Sequence, residues 1–299
     1  MRIVLGIAGL IILIVLGWWF TAESCRLSLW GHSGGALAVG ADSNGRFASA
    51  GVDHQVIVWT ANGQRDTIIT GHIGKIEAIA LGPNGLIASG STDGVLKVGE
   101  RTVTAHKGGV FALVFAASLL YSGGSDKMIR AYDPSPLKEQ FILRGHTGRI
   151  RALAVSPDNK WLASGGSGDD RARLWPLGKP SAARVLQGTN RRIDSLAFME
   201  GGKVLVVGDR DGKISVWDVE SGRERTSWNA HSGPINALTL LGDWVVSGSE
   251  DGWLHAWTST GEKRWTRRNR PVTNALATGS GRTIISADND GRVRLWDIP

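Results

Sequence analysis

The chain has 299 residues, 42% of them hydrophobic and 20% charged, and 34 Lys and Arg against 27 Asp and Glu give a formal net charge of +7. That apolar content is too high for a disordered chain, and 41 glycines without a fixed period exclude a collagen-like one. A single cysteine, Cys25, excludes any disulfide within the chain.

The first element is apolar. Arg2 is followed by eighteen uncharged residues, IVLGIAGLIILIVLGWWF, which is the threshold length for a membrane-spanning helix and longer than the usual core of a cleaved signal peptide. The indoles of Trp18 and Trp19 suit the headgroup zone, and Arg2 favours a cytoplasmic amino terminus. We therefore expect a transmembrane signal-anchor over residues 1–22, with the remainder of the chain outside the inner (plasma) membrane. The alternative is cleavage at Ala22-Glu23-Ser24, a small-x-small site, which would release a soluble periplasmic protein. Cys25 follows at once, but the residues before it do not resemble a lipidation box, so an unmodified or partner-linked thiol is expected.

From residue 24 onward one pattern recurs. Arg46 to Thr60 reads RFASAGVDHQVIVWT and Thr283 to Asp297 reads TIISADNDGRVRLWD, each an apolar strand, a turn and a second apolar strand ending near Trp. For the second we expect a two-residue turn at Asp290-Gly291 with positive φ at both positions. Aligning turn Asp and strand-end Trp gives seven copies: Asp53/Trp59, Asp93/Gly99, Asp126/Tyr132, Asp169/Trp175, Asp211/Trp217, Asp251/Trp257 and Asp290/Trp296. Ahead of them stand His32, His72, His106, His146 and His231, with Thr189 in the fifth copy and Asn269 or Arg270 in the seventh, at intervals of 34 to 43 residues. Short strands at that period indicate the blades of a β-propeller and exclude helical repeats.

Gly-His at one end of a unit and Trp-Asp at the other, as in Trp217-Asp218 and Trp296-Asp297, resemble the WD40 repeat family, here in a membrane-anchored, bacterial-type form. The resemblance covers nearly everything after residue 24. It implies an all-β, seven-bladed propeller over residues 24–299, four antiparallel strands to a blade. It also implies that the stretch CRLSLW before His32 supplies the outer strand that the last blade lacks at Pro299. Blade two departs most, with Gly99 in the Trp position only seven residues before His106, so the hairpin of its two outer strands must be short. An extra residue between Ser164 and Asp169 suggests a bulge in blade four, and blade five has Val207 where the strand Ser is expected.

Several residue sets look like chemistry. His32, Ser49 and Asp53, and again His231, Ser247 and Asp251, have the composition of a hydrolase triad. The resemblance assigns them instead, with Trp59 and Trp257, to structural networks inside the blades, and a set repeated around a ring is a poor way to build one active site. The run DRDGKISVWDVE from Asp209 to Glu220 imitates a calcium loop but has Ile214 where glycine is needed and Lys213 at a ligand place. Walker, HExxH and CxxC motifs are lacking, so no metal, cofactor or catalytic residue is expected.

The positive charge is patterned. Lys75, Lys107, Arg149, Arg191, Arg192, Arg210 and Arg270 precede first inner strands or turn Asp residues, places that share one rim of a WD40 ring. Lys263, Arg264, Arg267 and Arg268 form a second group around Trp265. The inner strands are mostly apolar, with Glu77, Arg151, Asp194 and Asn236 as exceptions. The expected function is a membrane-tethered, non-enzymatic interaction module or scaffold that uses the rim for an acidic protein face, with the membrane as second partner. No nucleic acid is expected at an exported location, and no small-molecule substrate is evident. The alternative is an enzyme, or a subunit of a redox or transport complex, with a site in the channel.

Overall fold

The computed structural model describes residues 25–168, 171–177, 183–188 and 192–299. The expected anchor over residues 1–22 lies outside the described residues, as do Asp169, Thr189 and Arg191 and with them the expected bulge of blade four. No helix among the described residues is long and apolar enough to cross a membrane.

Seven four-stranded antiparallel sheets make up the ring. Their innermost strands are Ala36–Ala41, Ile76–Leu81, Val110–Ala116, Arg149–Val155, Ile193–Met199, Ile235–Leu241 and Thr273–Thr278. Six blades are built from consecutive strands. The seventh takes its outer strand from the other end of the chain, where Leu27–Trp30 pairs antiparallel with Arg292–Asp297, Leu27 opposite Leu295 and Trp30 opposite Arg292. Leu27 and Leu29 pack against a cluster that includes Trp59, Ile285 and Leu295, so the closing strand fastens blade seven to blade one. An edge that would otherwise present unpaired N–H and C=O groups is thereby satisfied.

The core is divided like the ring. Every pair of neighbouring blades encloses its own apolar cluster: Ala48 and Val58 of blade one meet Ile76 and Ile79 of blade two, and Trp217 of blade five meets Leu174 of blade four. Strands buried on both faces therefore read as continuous apolar runs such as VIVW at Val56–Trp59, all four residues of which are buried.

One local feature differs from expectation and another agrees with it. The blade-seven turn is longer than two residues: Ala287 pairs with Val293, Gly291 N–H donates to Asp288 O at 3.1 Å, and of Asp290 and Gly291 only Gly291 has positive φ, at 81°. Asp290 needs no left-handed conformation because its carboxylate caps the turn by accepting the Arg292 N–H. In blade two, Gly99 and Glu100 alone join Val95–Val98 to Arg101–Thr104, and Gly99 sits at φ 57° with nothing near its missing Cβ, so backbone conformation and not space calls for glycine there.

Candidate partner-binding face

The His-Ser-Asp sets lie inside the blades. His32 Nδ1 is 2.9 Å from Asp53 and its Nε2 is 2.8 Å from Ser49 Oγ, which accepts the Trp59 indole N–H at 2.9 Å. His231, Asp251, Ser247 and Trp257 repeat this at 3.0, 2.7 and 2.9 Å. Ser49 and Ser247 are fully buried. Each hydroxyl is held between an imidazole and an indole, with no face open to a substrate, so the set links two loops and two strands of one sheet. Burial pushes the His106 and His231 imidazoles below the ordinary histidine range, while Asp126 and Asp251 work in the opposite direction.

Blades that lack a member find other partners. In blade five Val207 and Ser215 are cross-strand neighbours, and Trp217 donates to Ser215 Oγ at 2.9 Å. In blade seven Asn269, not Arg270, occupies the histidine place: it is buried and donates to Asp288 at 2.6 Å, while Arg270 is exposed. Arg294 supplies the donor that the missing histidine would have provided, bonding both Asp288 and Asp290. His255, overlooked in the sequence, stacks on His231 at 4.6 Å, and burial followed by the neighbouring His231 pushes its pKa down to about 4.

The channel mouth is built by a bulge that recurs in each blade. The register between the two innermost strands shifts at Leu37, Glu77, Phe111, Arg151, Asp194, Asn236 and Asn274, each the residue skipped near the start of its ladder. The extra residue has no ladder partner and turns toward the axis. All seven are half-buried and line one cavity of about 400 Å³.

Charge is concentrated on one side of that cavity. Arg151 Nε and Arg192 Nε both donate to Asp194 Oδ1 at 2.9 Å, and Arg210 approaches Asp194 Oδ2 at 3.6 Å and Glu250 at 3.9 Å. The Phe111 ring lies 5.2 Å beneath the Arg151 guanidinium. Opposite, Asn236 donates to Thr273 O and Asn274 to Ala36 O, joining blades six to seven and seven to one. Of the basic residues expected on the rim, Lys75, Lys107, Arg149 and Arg270 are exposed at the ends of the strands entering the mouth. Arg192 and Arg210 do not project freely as expected. They turn inward, half-buried, because Asp194 offers a carboxylate that is itself only 7% exposed. Arg151, marked in the sequence only as an exception on an inner strand, completes this group. Phe111, Glu250 and Asn274 were missed, although the bulge position is visible once the seven units are aligned. Among the described residues no group of three His, Cys, Asp or Glu is arranged to hold a metal ion. Asp209 caps its own turn by accepting the N–H groups of Asp211 and Lys213.

The model of the WD domain, G-beta repeat, matches residues 23–60, 63–98, 100–133, 137–176 and 267–297, more than half of the sequence. The chain belongs to the WD40 repeat family. A second WD40 model, that of anaphase-promoting complex subunit 4, matches residues 173–247, across blades four to six. This WD40 chain is similar to the serine-threonine kinase receptor-associated protein of Gallus gallus, 26% identical over 64% of the chain and 68% of that protein. It is also similar to a guanine nucleotide-binding protein subunit beta of Arabidopsis thaliana, 24% identical over 91% of the chain and 83% of that protein. The chain spans a little over half the length of several other curated relatives. The crystal structure of the WD40 beta propeller domain of Doa1 superposes with a TM-score of 0.81 at 21% identity, over 92% of this chain and 97% of that one, which establishes the fold alone.

Proposed function

We propose that this WD40 propeller is a membrane-tethered, non-enzymatic docking module whose channel mouth receives an acidic segment of a partner protein. WD40 propellers act as protein-interaction scaffolds, and the relatives above are named as a receptor-associated protein and as a subunit. The observation that carries the reading is the convergence of Arg151, Arg192 and Arg210 on Asp194. Asp194 accepts hydrogen bonds from Arg151 and Arg192 and lies 3.6 Å from Arg210, so three guanidinium groups gather around one carboxylate, and on this reading a second carboxylate meets cations that are already partly ordered. Lys75, Lys107, Arg149 and Arg270 surround the mouth, and we assign them, with Arg191, to longer-range steering of the acidic partner. The apolar run before Cys25 would hold the propeller at the outer surface of the inner membrane, and cleavage after it would give a soluble periplasmic form with the same face.

The test is binding of a labelled Asp- and Glu-rich peptide, followed by anisotropy at two salt concentrations. The parent protein should bind and weaken with salt. The Arg151→Gln/Arg192→Gln/Arg210→Gln variant should lose binding by about tenfold or more, in keeping with the loss of charge-assisted bonds. Equal binding by both proteins overturns the reading.

The half-buried Arg151–Asp194 pair in the cavity also favours a second reading, an enzyme or a redox or transport-complex subunit with a channel site. A turnover activity that Asp194→Asn abolishes in a folded protein, with peptide binding retained, would decide for it.

A further inference from the structure

The outer rim of the ring carries a second charged feature, remote from the mouth. Among the described residues, six of the seven outer strands carry a net charge of zero or +1. Arg65–Ile69, Leu137–Leu143 and Glu224–Asn229 each balance a cation with an acid, Arg101–Thr104 and Arg184–Val185 hold one arginine apiece, and Leu27–Trp30 is uncharged. Lys263–Arg268 of blade six, KRWTRR, holds four cations and no acid. All four are exposed, and among the described residues only Arg264 pairs with a carboxylate, that of Glu262 at 2.8 Å. Lys263, Arg267 and Arg268 lie instead over the rings of Trp257, Trp265 and Trp253, at 4.8, 5.2 and 5.7 Å from their centroids. The register sets Trp257 opposite Lys263 and Trp253 opposite Arg268, while Trp265 packs between blades six and seven, so cations emerge on both sides of the strand. On the neighbouring outer strand Trp30, 64% exposed, carries Arg292 at 3.7 Å.

Edge charges alone are ordinary, since they discourage strand-to-strand aggregation, but the mixed signs on the other blades already serve that purpose. The combination here is different. A run of cations, with the exposed indoles of Trp253 and, on the next blade, Trp30, matches the zone where anionic headgroups meet acyl chains. Chain connectivity points to the same side. Cys25, at the foot of the Leu27–Trp30 strand, packs against the cluster containing Trp265. In the sequence the apolar run ends at Phe20, five residues before Cys25, and five residues of chain reach at most about 17 Å.

We propose that the outer edge of blades six and seven, formed by Lys263, Arg264, Arg267, Arg268, Trp253 and Trp30, is a docking surface for anionic phospholipid headgroups. It sets the propeller on its side against the bilayer and leaves the channel mouth open to the aqueous partner. The tether rests on the reading of residues 3–20 as a membrane segment; the charge and indoles of the edge do not.

The full chain is placed in nanodiscs of phosphatidylcholine alone or with about one third phosphatidylglycerol, and indole oxidation by hydroxyl radicals is measured. Trp30 and Trp253 should be oxidised about threefold more slowly on the anionic discs, with Trp161 of blade four unchanged, and added salt should remove the difference. The Lys263→Gln/Arg264→Gln/Arg267→Gln/Arg268→Gln variant should show no difference between the discs, and the salt titration of the unsubstituted chain reads the same attraction independently. Equal oxidation on both lipids overturns the docking surface. So does capture of an acidic protein by this edge that lipid cannot displace. Retention by the neutral discs reports on the apolar run alone: a chain that is not retained there, yet is protected on anionic vesicles, keeps the edge and removes the tether.

Discussion

Arg294 Nη1 donates to the Asp288 carboxylate at 2.6 Å inside blade seven, where five other blades place a histidine network. Asp288 is fully buried, also accepts from Asn269 and Ser286, and has its pKa raised to about 6, because burial outweighs the opposing influence of Arg294. A carboxyl whose folded pKa lies above its unfolded value binds more protons in the folded state between the two. Its contribution to stability is therefore greatest below about pH 4 and is lost as pH rises through about 6. The unfolding free energy of the parent minus that of Asp288→Asn should fall by about 2 to 3 kcal/mol between pH 4 and pH 7, measured by urea denaturation. A difference that stays flat or rises would refute this.

Blade five shows that the position of a hydroxyl matters less than its presence. Ser215→Ala should cost about 1 to 2 kcal/mol, since it leaves the buried Trp217 N–H without an acceptor. Val207→Ser combined with Ser215→Val moves the hydroxyl to the strand used by the other blades and should recover most of that loss in thermal melting. A double variant no better than Ser215→Ala would mean that Trp217 cannot reach the other strand.

Closure by the first described strand predicts a global effect from a local deletion. Removing residues 24–30 exposes the Arg292–Asp297 edge and uncovers the cluster around Trp59, so the whole ring should lose about 3 kcal/mol or more. A melting temperature equal to that of the parent would show that the ring holds without its closing strand.

The buried networks and the exposed rim should separate experimentally. His231→Ala should lower stability by about 1 to 3 kcal/mol and leave acidic-peptide binding intact, because it removes a buried partner from both Asp251 and Ser247 inside blade six. Arg149→Glu should change stability by less than about 0.5 kcal/mol and reduce the association rate and its salt sensitivity. Thermal melting and stopped-flow binding on both variants supply the comparison. A destabilised Arg149→Glu protein, or loss of turnover in a folded His231→Ala protein, would reverse the assignments.

The sequence by itself determined the all-β class and the seven units, because each unit carries short apolar runs and turn signals at a regular interval, and the resemblance to WD40 repeats implied the strand that closes them. The short turn of blade two was legible at Gly99 for the same reason. The tertiary structure alone decided how units that lack a residue are repaired. Ser215 substitutes for Val207 only because the two are paired across the sheet, and Arg294 reaches Asp288 from the adjacent strand. It also decided that Arg151, Arg192 and Arg210, drawn from blades four and five, converge on Asp194. Such groupings depend on the twist of each sheet, on the bulge that turns one residue per blade to the axis, and on the closing of the ring. Those are distances through space between residues far apart along the chain, and no local pattern encodes them.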